Sequence, residues 1–148
     1  MNDPTVADPA VIACLHCHTK NTAVGGDLAQ ARCGTCGKPL FDGHPVTLSA
    51  ETIDRHMSNT VTPLVVDFWA PWCGPCRAMA PVFERAAAEL EPAVRFAKVN
   101  TDEEPDLATR HGIRGIPTIA IFKNGTEVAR TSGALDAARF MAWVRANS

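Results

Sequence analysis

The chain carries its six cysteines as three C-x-x-C pairs, and this feature constrains its possible folds more than any other. The pairs are Cys14/Cys17, Cys33/Cys36 and Cys73/Cys76. A C-x-x-C pair can bind a metal, form a redox-active disulfide or, when a histidine follows, attach a haem. The surroundings of each pair therefore decide which chemistry it supports.

The first two pairs lie in a segment that has little to bury. Residues 1–43 contain five glycines and few large apolar side chains, and they show no sustained helix or strand periodicity. A segment of about 40 residues with so small a core needs a metal or a disulfide to fold. We therefore predict a small N-terminal domain over residues 1–42, with the boundary at Asp42-Gly43.

The spacing of these four cysteines, C-x2-C-x15-C-x2-C, is that of a zinc ribbon. Two such pairs close a tetrahedral, all-sulfur site without an open position, which is typical of a structural metal. Gly37 lets the chain turn after the second pair, so that backbone N–H groups can face the sulfurs. The predicted metal is one zinc ion, and its predicted ligands are Cys14, Cys17, Cys33 and Cys36.

Alternatives for this site stay open. Iron also binds four thiolates, although zinc is the commoner occupant. His16 or His18 could replace a cysteine, but four cysteines already complete the site, and we interpret both imidazoles as facing solvent. Cys17-His18 also completes the C-x-x-C-H haem-attachment pattern. No haem is expected, because this attachment takes place in export compartments and no export signal is visible.

Composition and charge argue against other function classes. The formal net charge is -2, and residues 1–42 hold three basic against four acidic residues, so we expect no nucleic-acid partner. No apolar run reaches the roughly 18 residues of a membrane span, and residues 1–15 lack the pattern of a signal peptide. We predict a soluble cytoplasmic protein without a membrane partner, whose reduced cysteines are metal ligands or catalytic thiols.

From His44 onward, strand and helix patterns alternate. Strands are predicted at 46–48, 64–70, 94–99, 118–122 and 127–131. Four helices are predicted. The first covers 50–59 with Ser49 as its N-cap, and the second follows Cys76 along an apolar stripe from Met79 to Leu90. The third covers 103–111, and the fourth lies at the C-terminus. The order β-α-β-α-β-α-β-β-α predicts an α/β fold whose mixed sheet carries helices on both faces and ends in an antiparallel pair.

The third pair lies in the sequence WCGPC, where a buried strand is predicted to end and a helix to begin. The unpaired N–H groups and the positive end of that helix favour a thiolate at Cys73, which is the nucleophile in disulfide exchange. Cys76 lies three residues later, within disulfide reach. Pro75 fits the first helical turn, and Gly74 keeps the sulfur accessible. A structural thiol pair or half of a metal site is the alternative, but this strand-to-helix context is typical of a redox pair.

The sequence around this pair resembles the thioredoxin family. The matching stretches are VVDF at 65–68, WAPWCGPC at 69–76, AKVNTDE at 97–103, GIRGIPT at 112–118, FKNG at 122–125 and SGAL at 132–135. The resemblance covers residues 44–148 and implies a thioredoxin fold with protein-disulfide reductase activity. With the four N-terminal cysteines included, the whole chain resembles the zinc-binding branch of the bacterial thioredoxins.

The resemblance also implies roles for single residues and for partners. Cys73 attacks the disulfide of a client protein, Cys76 resolves the mixed disulfide, and Asp67 assists proton removal from the resolving thiol. The residues implied to contact the substrate are Trp72, Gly74, Pro75, Ile116 and Pro117. An NADPH-dependent thioredoxin reductase is the implied electron donor, and we expect a monomer.

Several of these side chains have simpler interpretations. Asp67 interrupts an apolar strand, which is costly unless the acid is used, paired or able to reach solvent. Lys98 could point toward Asp67 and change its protonation, or it could extend to the surface. Trp72 could be simple packing, although an exposed aromatic next to a nucleophile favours a contact surface. Most X–Pro bonds are trans, so only the resemblance favours a cis bond before Pro117.

Two further histidines receive no chemical role. We interpret His56 as a residue on a helix surface and His111 as a residue at a helix end.

A second functional hypothesis places the main role in the N-terminal domain. Zinc thiolates can be oxidised with release of the metal, so the ribbon could act as a redox or metal sensor, or as a client-binding module. Pro71 stands where many thioredoxins have an acidic residue, so the resemblance does not imply a client preference. A chain without residues 1–42 is expected to fold and to reduce disulfides, because the predicted core lies downstream.

Overall fold

The structure is a computed structural model that describes residues 10–23, 28–57 and 62–148. Its strands are β1 (Ala10–Ala13), β2 (Lys20–Ala23), β3 (Val46–Thr47), β4 (Leu64–Trp69), β5 (Arg95–Asn100), β6 (Thr118–Lys123) and β7 (Thr126–Ser132). Its helices are α1 (Ile53–Met57), α2 (Gly74–Leu90), α3 (Pro105–Arg110) and α4 (Ala137–Asn147). From β3 onward, this is the predicted order of elements.

The main sheet has the strand order β3-β5-β4-β6-β7. β3 and β4 run parallel to β5, whereas β6 is antiparallel to both β4 and β7. The hairpin between β6 and β7 turns at Asn124 and Gly125, which both adopt positive φ angles. The predicted mixed sheet with an antiparallel final pair is therefore confirmed.

The central position of β4 explains why its sequence is almost continuously apolar. One face of the sheet packs against α2 and α4 through a core that includes Val65, Phe83, Phe96, Ile119 and Phe140. The other face packs against α1 and α3 through a core that includes Ile53, Val66, Phe68, Val99 and Leu107. Helices thus cover both faces, as predicted, and β4 delivers its last residues to the start of α2 between two apolar layers.

The first predicted helix differs from the observed one at its start. Residues 50–52 form a turn, and the regular helix begins only at Ile53. Ser49 opens this turn, because its carbonyl accepts a hydrogen bond from the Ile53 N–H at 2.9 Å while its own N–H donates to the Thr52 hydroxyl. The predicted end of this helix, at residues 58–59, lies outside the described residues.

The N-terminal segment, residues 10–42 as far as they are described, contains a two-stranded sheet that is separate from the main sheet. Its β1 and β2 pair antiparallel, and an isolated bridge joins Arg32 to Pro39. Its small core consists of Ile12, Cys14, Cys33, Leu40 and Phe41. The two-stranded sheet was not predicted, because AVIA and KNTA are too short to show a strand pattern.

Two X–Pro peptide bonds are cis within the described ranges, Glu91-Pro92 and Ile116-Pro117. The second is the bond for which the family resemblance favoured cis, and the first was not predicted. None of the helices formed by the described residues has the length and apolar character needed to cross a membrane.

Candidate active site and metal centre

Cys73 and Cys76 lie at the junction between β4 and α2. Cys73 is the N-cap of the helix, with φ -83° and ψ 114°, and its Sγ accepts a hydrogen bond from the Cys76 backbone N–H at 3.2 Å. The two cysteines form a disulfide with a Cα–Cα distance of 5.2 Å. The sulfur thus occupies the place of a capping oxygen, where a helix N-terminus stabilises negative charge.

The loop before β6 closes over this pair. Cys73 Sγ lies 3.7 Å from the carbonyl oxygen of Ile116, and Ile116 packs with Cys73 and Cys76 in a small apolar cluster. Pro117 is buried behind Ile116, whereas Gly74 and Pro75 are exposed. The structure therefore brings together both cysteines and the predicted substrate-contacting residues at one end of the sheet.

Trp72 is 69% exposed, and its Nε1–H donates a hydrogen bond to Asp102 Oδ1 at 3.1 Å. This contact holds the indole at the surface, so Trp72 does not serve as core packing. Beside it lies a groove of about 220 Å³, lined by Trp72, Thr101, Ala108, Ile113, Arg114, Gly115 and Ile116. Sequence reasoning did not identify Asp102 or Arg114, although both lie in the stretches that resemble thioredoxins.

Asp67 is completely buried in β4, so it does not reach solvent. Neither carboxylate oxygen has a hydrogen-bond partner within the part of the chain that the structure describes. Burial raises the pKa of Asp67 from 3.8 to about 7, and the positive charge of Lys98 acts in the opposite direction. An acid with this pKa can hold or release a proton near neutral pH.

Lys98 lies directly opposite Asp67 in the β4–β5 register and is half-buried. Its ammonium group is 4.6 Å from the centroid of the Trp69 ring, a cation–π contact. The structure therefore places the charge of Lys98 beside the strand that carries Asp67, and Lys98 remains a candidate for tuning the pKa of that carboxyl.

The interpretation of His56 as a surface residue is wrong. Its side chain is buried, and its Nε2 lies 3.0 Å from Nδ1 of His18. Burial lowers the pKa of His56 to about 3, so its imidazole is neutral at physiological pH. His18 is half-buried and is not a solvent-facing imidazole, whereas His16 is exposed as expected. His111 lies at the C-terminal end of α3, as expected.

The four N-terminal cysteines converge on one point. All four Sγ atoms lie within 4.8 Å of one another, and the Cys14–Cys36 and Cys17–Cys33 pairs are both 3.6 Å apart. A tetrahedral zinc site with bonds of about 2.3 Å requires sulfur–sulfur distances of about 3.8 Å. The arrangement therefore fits one tetrahedral metal ion, and neither His16 nor His18 belongs to the cluster.

Hydrogen-bond donors surround these sulfurs. The backbone N–H of His16 donates to Cys14 Sγ at 3.3 Å, and the Asn21 amide donates to Cys33 Sγ at 3.4 Å. Hydrogen bonds from the Cys36 backbone and, to a smaller extent, from the Asn21 side chain lower the pKa of Cys33 to about 6. Burial raises the pKa of Cys14 to about 11. Such donors favour thiolate ligands, and a bound metal would deprotonate the remaining thiols.

The two cysteine turns have the same backbone form. The His18 N–H donates to the Cys14 carbonyl and the Gly37 N–H to the Cys33 carbonyl, both at 2.9 Å. Both donors have positive φ, 62° at His18 and 77° at Gly37. Residues other than glycine seldom adopt this conformation, although histidine does so more often than most. The repeated turn explains how two pairs with unrelated dipeptides between their cysteines present their sulfurs in the same way.

Comparison with known proteins gives a consistent result. A thioredoxin family model matches residues 44–146. Thioredoxin C-3 from Corynebacterium nephridii is 38% identical over 135 residues, which cover 90% of this chain and 92% of that protein. Thioredoxin 1 from Nostoc sp. is 48% identical over 84 residues, which cover 57% of this chain and 78% of that protein.

A solved structure of a mutant thioredoxin from Halobacterium salinarum NRC-1 superimposes with a TM-score of 0.65 at 29% identity. The superposition covers 72% of this chain and 93% of the other. The alignment to thioredoxin C-3 is longer than residues 44–148, so it extends into the N-terminal segment. Since the family match spans the whole sheet and both cysteines of WCGPC, the chain belongs to the thioredoxin family of thiol-disulfide oxidoreductases.

Proposed function

We propose that the protein is a protein-disulfide reductase that acts through Cys73 and Cys76. The observation that carries the proposal is the position of Cys73 Sγ, which caps α2 and accepts the Cys76 N–H at 3.2 Å. This environment favours the thiolate, and the thiolate is the form that attacks a disulfide. Thioredoxins act on disulfide-containing substrates in this way.

The reaction has two exchange steps. The Cys73 thiolate attacks one sulfur of a client disulfide, forms a mixed disulfide and releases the other client sulfur as a thiolate. The Cys76 thiolate then attacks Cys73 Sγ, and the second client sulfur leaves. Two electrons pass from the dithiol to the client, and the Cys73–Cys76 disulfide remains on the protein.

Client binding is assigned to the surface around Trp72 and the groove beside it. The predicted contact residues Trp72, Gly74, Pro75, Ile116 and Pro117 lie around the disulfide, and Trp72 supplies a large exposed apolar area. The backbone of Ile116 lies at the edge of the cysteine pair, where it can form hydrogen bonds with an extended client segment.

We assign to Asp67 the role of accepting the proton from the Cys76 thiol, which resolves the mixed disulfide. Its buried carboxyl has a pKa of about 7, which suits a group that accepts and returns a proton near neutral pH. Lys98, opposite Asp67 in the register, favours the ionised carboxylate and so adjusts this pKa. These two residues act on Cys76 without contacting the client.

The family is reduced by thioredoxin reductase, and we assign the NADPH-dependent enzyme as the electron donor here. The Gly-Pro pair between the cysteines resembles the reducing members, whose potentials lie near about -270 mV, against about -120 mV for the oxidising periplasmic type. A potential in that range suits a reducing compartment, so we place the protein in the cytoplasm.

The N-terminal segment is proposed to be a zinc ribbon over residues 1–42, followed by a thioredoxin domain over residues 43–148. By its sequence, this organisation resembles that of the bacterial thioredoxin 2 group, to which we propose that the protein belongs. The supporting observation is the cluster of four sulfurs at tetrahedral spacing. Cys14, Cys17, Cys33 and Cys36 would hold the ion, which supplies folding energy to a segment with a very small core.

A redox-sensing role for the ribbon is a second candidate, and the exposure of Cys36 favours it. Cys36 is exposed, whereas Cys14 and Cys33 are buried, so an oxidant reaches the cluster first at Cys36. Treatment with peroxide should then release zinc, followed with a chromogenic chelator, and change the reductase rate. If the rate ignores metal occupancy, the ribbon is structural only.

Reduction of insulin disulfides tests the main proposal. Cys73→Ser should abolish the activity, and Cys76→Ser should accumulate mixed disulfides, because the attacking thiol is present and the resolving thiol is not. Ala78→Ser, which places a serine on the exposed face of α2, is the matched control and should keep the wild-type rate. A Cys73→Ser protein with wild-type activity would contradict the proposal.

A further inference from the structure

A buried arginine joins the catalytic domain to the N-terminal segment. Arg95, the first residue of β5, is 1% exposed. Its Nη2 donates to the carbonyl oxygen of Ala13 at 3.1 Å and to that of Leu40 at 2.7 Å. Its guanidinium also lies 4.1 Å from the centroid of the Phe41 ring. All three partners belong to the segment that carries the metal cluster.

This buried charge needs compensation, because a guanidinium does not lose its proton in a protein. Burial lowers the pKa of Arg95, and the negative charges that oppose this effect belong to Glu91, Cys14 and Asp42. Glu91 is itself half-buried, its Oε2 accepts the Phe96 N–H at 3.0 Å, and burial raises its pKa to about 7. Glu91 therefore balances Arg95 only partly near neutral pH.

Thiolates of the four cysteines holding a metal ion would supply further negative charge near Arg95. Four thiolates around a divalent zinc ion carry a net charge of about -2, which also needs a nearby cation. Ala13 directly precedes the ligand Cys14, so the bond from Arg95 to the Ala13 carbonyl holds the first cysteine turn in place. Groups that position ligands and balance their charge strengthen metal binding.

We propose that Arg95 is an outer-shell residue of the metal centre, contributed by the thioredoxin domain, which fixes the first cysteine turn and balances the charge of the metal thiolates. The inference rests on the proposed metal site. Since coupling between two sites is reciprocal, metal occupancy must in turn stabilise β5 around Arg95. β5 also carries Lys98, opposite Asp67, so one strand connects the metal centre with the active-site carboxyl.

The zinc affinities of three variants test whether Arg95 strengthens metal binding. Arg95→Met keeps an unbranched apolar stem and removes the charge, whereas Arg95→Lys keeps the charge and loses the forked donor. We expect Arg95→Met to weaken zinc binding about 10- to 100-fold in competition with a chromogenic chelator, and Arg95→Lys to lie between it and the wild type. Arg85→Met, an exposed arginine of α2 paired with Glu89, is the control and should bind zinc as the wild type does.

A folded Arg95→Met protein whose zinc affinity lies within about twofold of the wild type would overturn the proposal. If Arg95→Met does not fold, hydrogen exchange of the wild-type protein decides. After removal of zinc with a chelator, the Arg95 and Phe96 amides should exchange at least about tenfold faster, while that of Ala129 in β7 keeps its rate. Equal exchange with and without zinc overturns the coupling. A purified protein without stoichiometric metal would instead refute the proposed metal site.

Discussion

Replacement of Asp67 by asparagine tests the buried carboxyl through its effect on stability. Burial raises the pKa of this group from 3.8 to about 7 in the folded protein, whereas the unfolded chain keeps the ordinary value. Above pH 3.8 the unfolded state therefore releases a proton that the folded state still holds, and stability falls as the pH rises toward 7. The complete loss of unfolding free energy caused by this group, reached above pH 7, corresponds to about 4 kcal/mol.

We expect Asp67→Asn to remove this loss. The stability difference between the variant and the wild type should increase by about 2 to 3 kcal/mol between pH 5 and pH 8.5, because part of the loss is already present at pH 5. The amide is also buried without partners, which costs about 1 to 3 kcal/mol, but this cost does not depend on pH. The change with pH, and not the difference at a single pH, is therefore the relevant quantity.

Urea unfolding of the oxidised proteins at pH 5, 7 and 8.5 and constant ionic strength measures this change. Glu91 and His56 also have shifted pKa values, but their contributions are common to both proteins and cancel in the difference. Asp106→Asn, an exposed substitution in α3, is the control and should follow the wild type at every pH. A difference between Asp67→Asn and the wild type that stays constant from pH 5 to 8.5 would refute the reasoning.

Three further predictions follow from other parts of the structure. Trp72→Ala should raise the KM for a protein disulfide about tenfold and leave the rate with a small disulfide unchanged, because the exposed indole contacts only large clients. Equal KM values for the variant and the wild type would argue against this contact. His56→Gln should reduce the loss of stability below pH 6.5. In that range the unfolded chain protonates His56, whereas the folded protein, in which its pKa is about 3, does not. Identical acid unfolding of both proteins would contradict this. A chain of residues 43–148 should reduce insulin but unfold at lower urea, with a loss of about 1 to 3 kcal/mol, because two hydrogen bonds of Arg95 are exchanged for bonds to water; undiminished stability would show that these bonds contribute nothing.

The last of these predictions modifies an expectation from the sequence. Composition alone indicated that the catalytic domain would be independent of residues 1–42, because every long apolar stretch lies downstream. Arg95 contacts Ala13, Leu40 and Phe41, a link between the two parts of the chain that no pattern along the sequence could reveal. An arginine near the start of a strand is normally a surface residue, and only the tertiary arrangement buries it.

The elements from β3 to α4 were predictable because their sequence patterns are local. The apolar run of β4, the stripe of α2 and the Asn124-Gly125 turn each identify their element without reference to the rest of the chain. The start of α1 was predicted three residues early, since the turn at 50–52 has a helix-compatible sequence. Its burial pattern was also misread at His56, whose neighbour His18 is distant in the sequence.

The two sites differ in how far the sequence could predict them. Cysteine spacing alone grouped the four N-terminal sulfurs that the structure brings within 4.8 Å of one another. The apolar run before Cys73 and the helical stripe after Cys76 placed this pair at a strand-to-helix junction, and the structure has them there. Asp102, which accepts the hydrogen bond from Trp72, and the groove beside Trp72 were not predicted, because loops far apart in sequence form them.

The division of labour among the three C-x-x-C pairs is the central claim, and a combined count of metal and thiols tests it most directly. The purified native protein, after mild reduction, is analysed for zinc and titrated with a thiol reagent, first alone and then with denaturant and chelator. We predict one zinc per chain and two thiols that react in the native protein, from Cys73 and Cys76, with all six cysteines reacting after denaturation. Six freely reacting thiols in a metal-free native protein would contradict the claim.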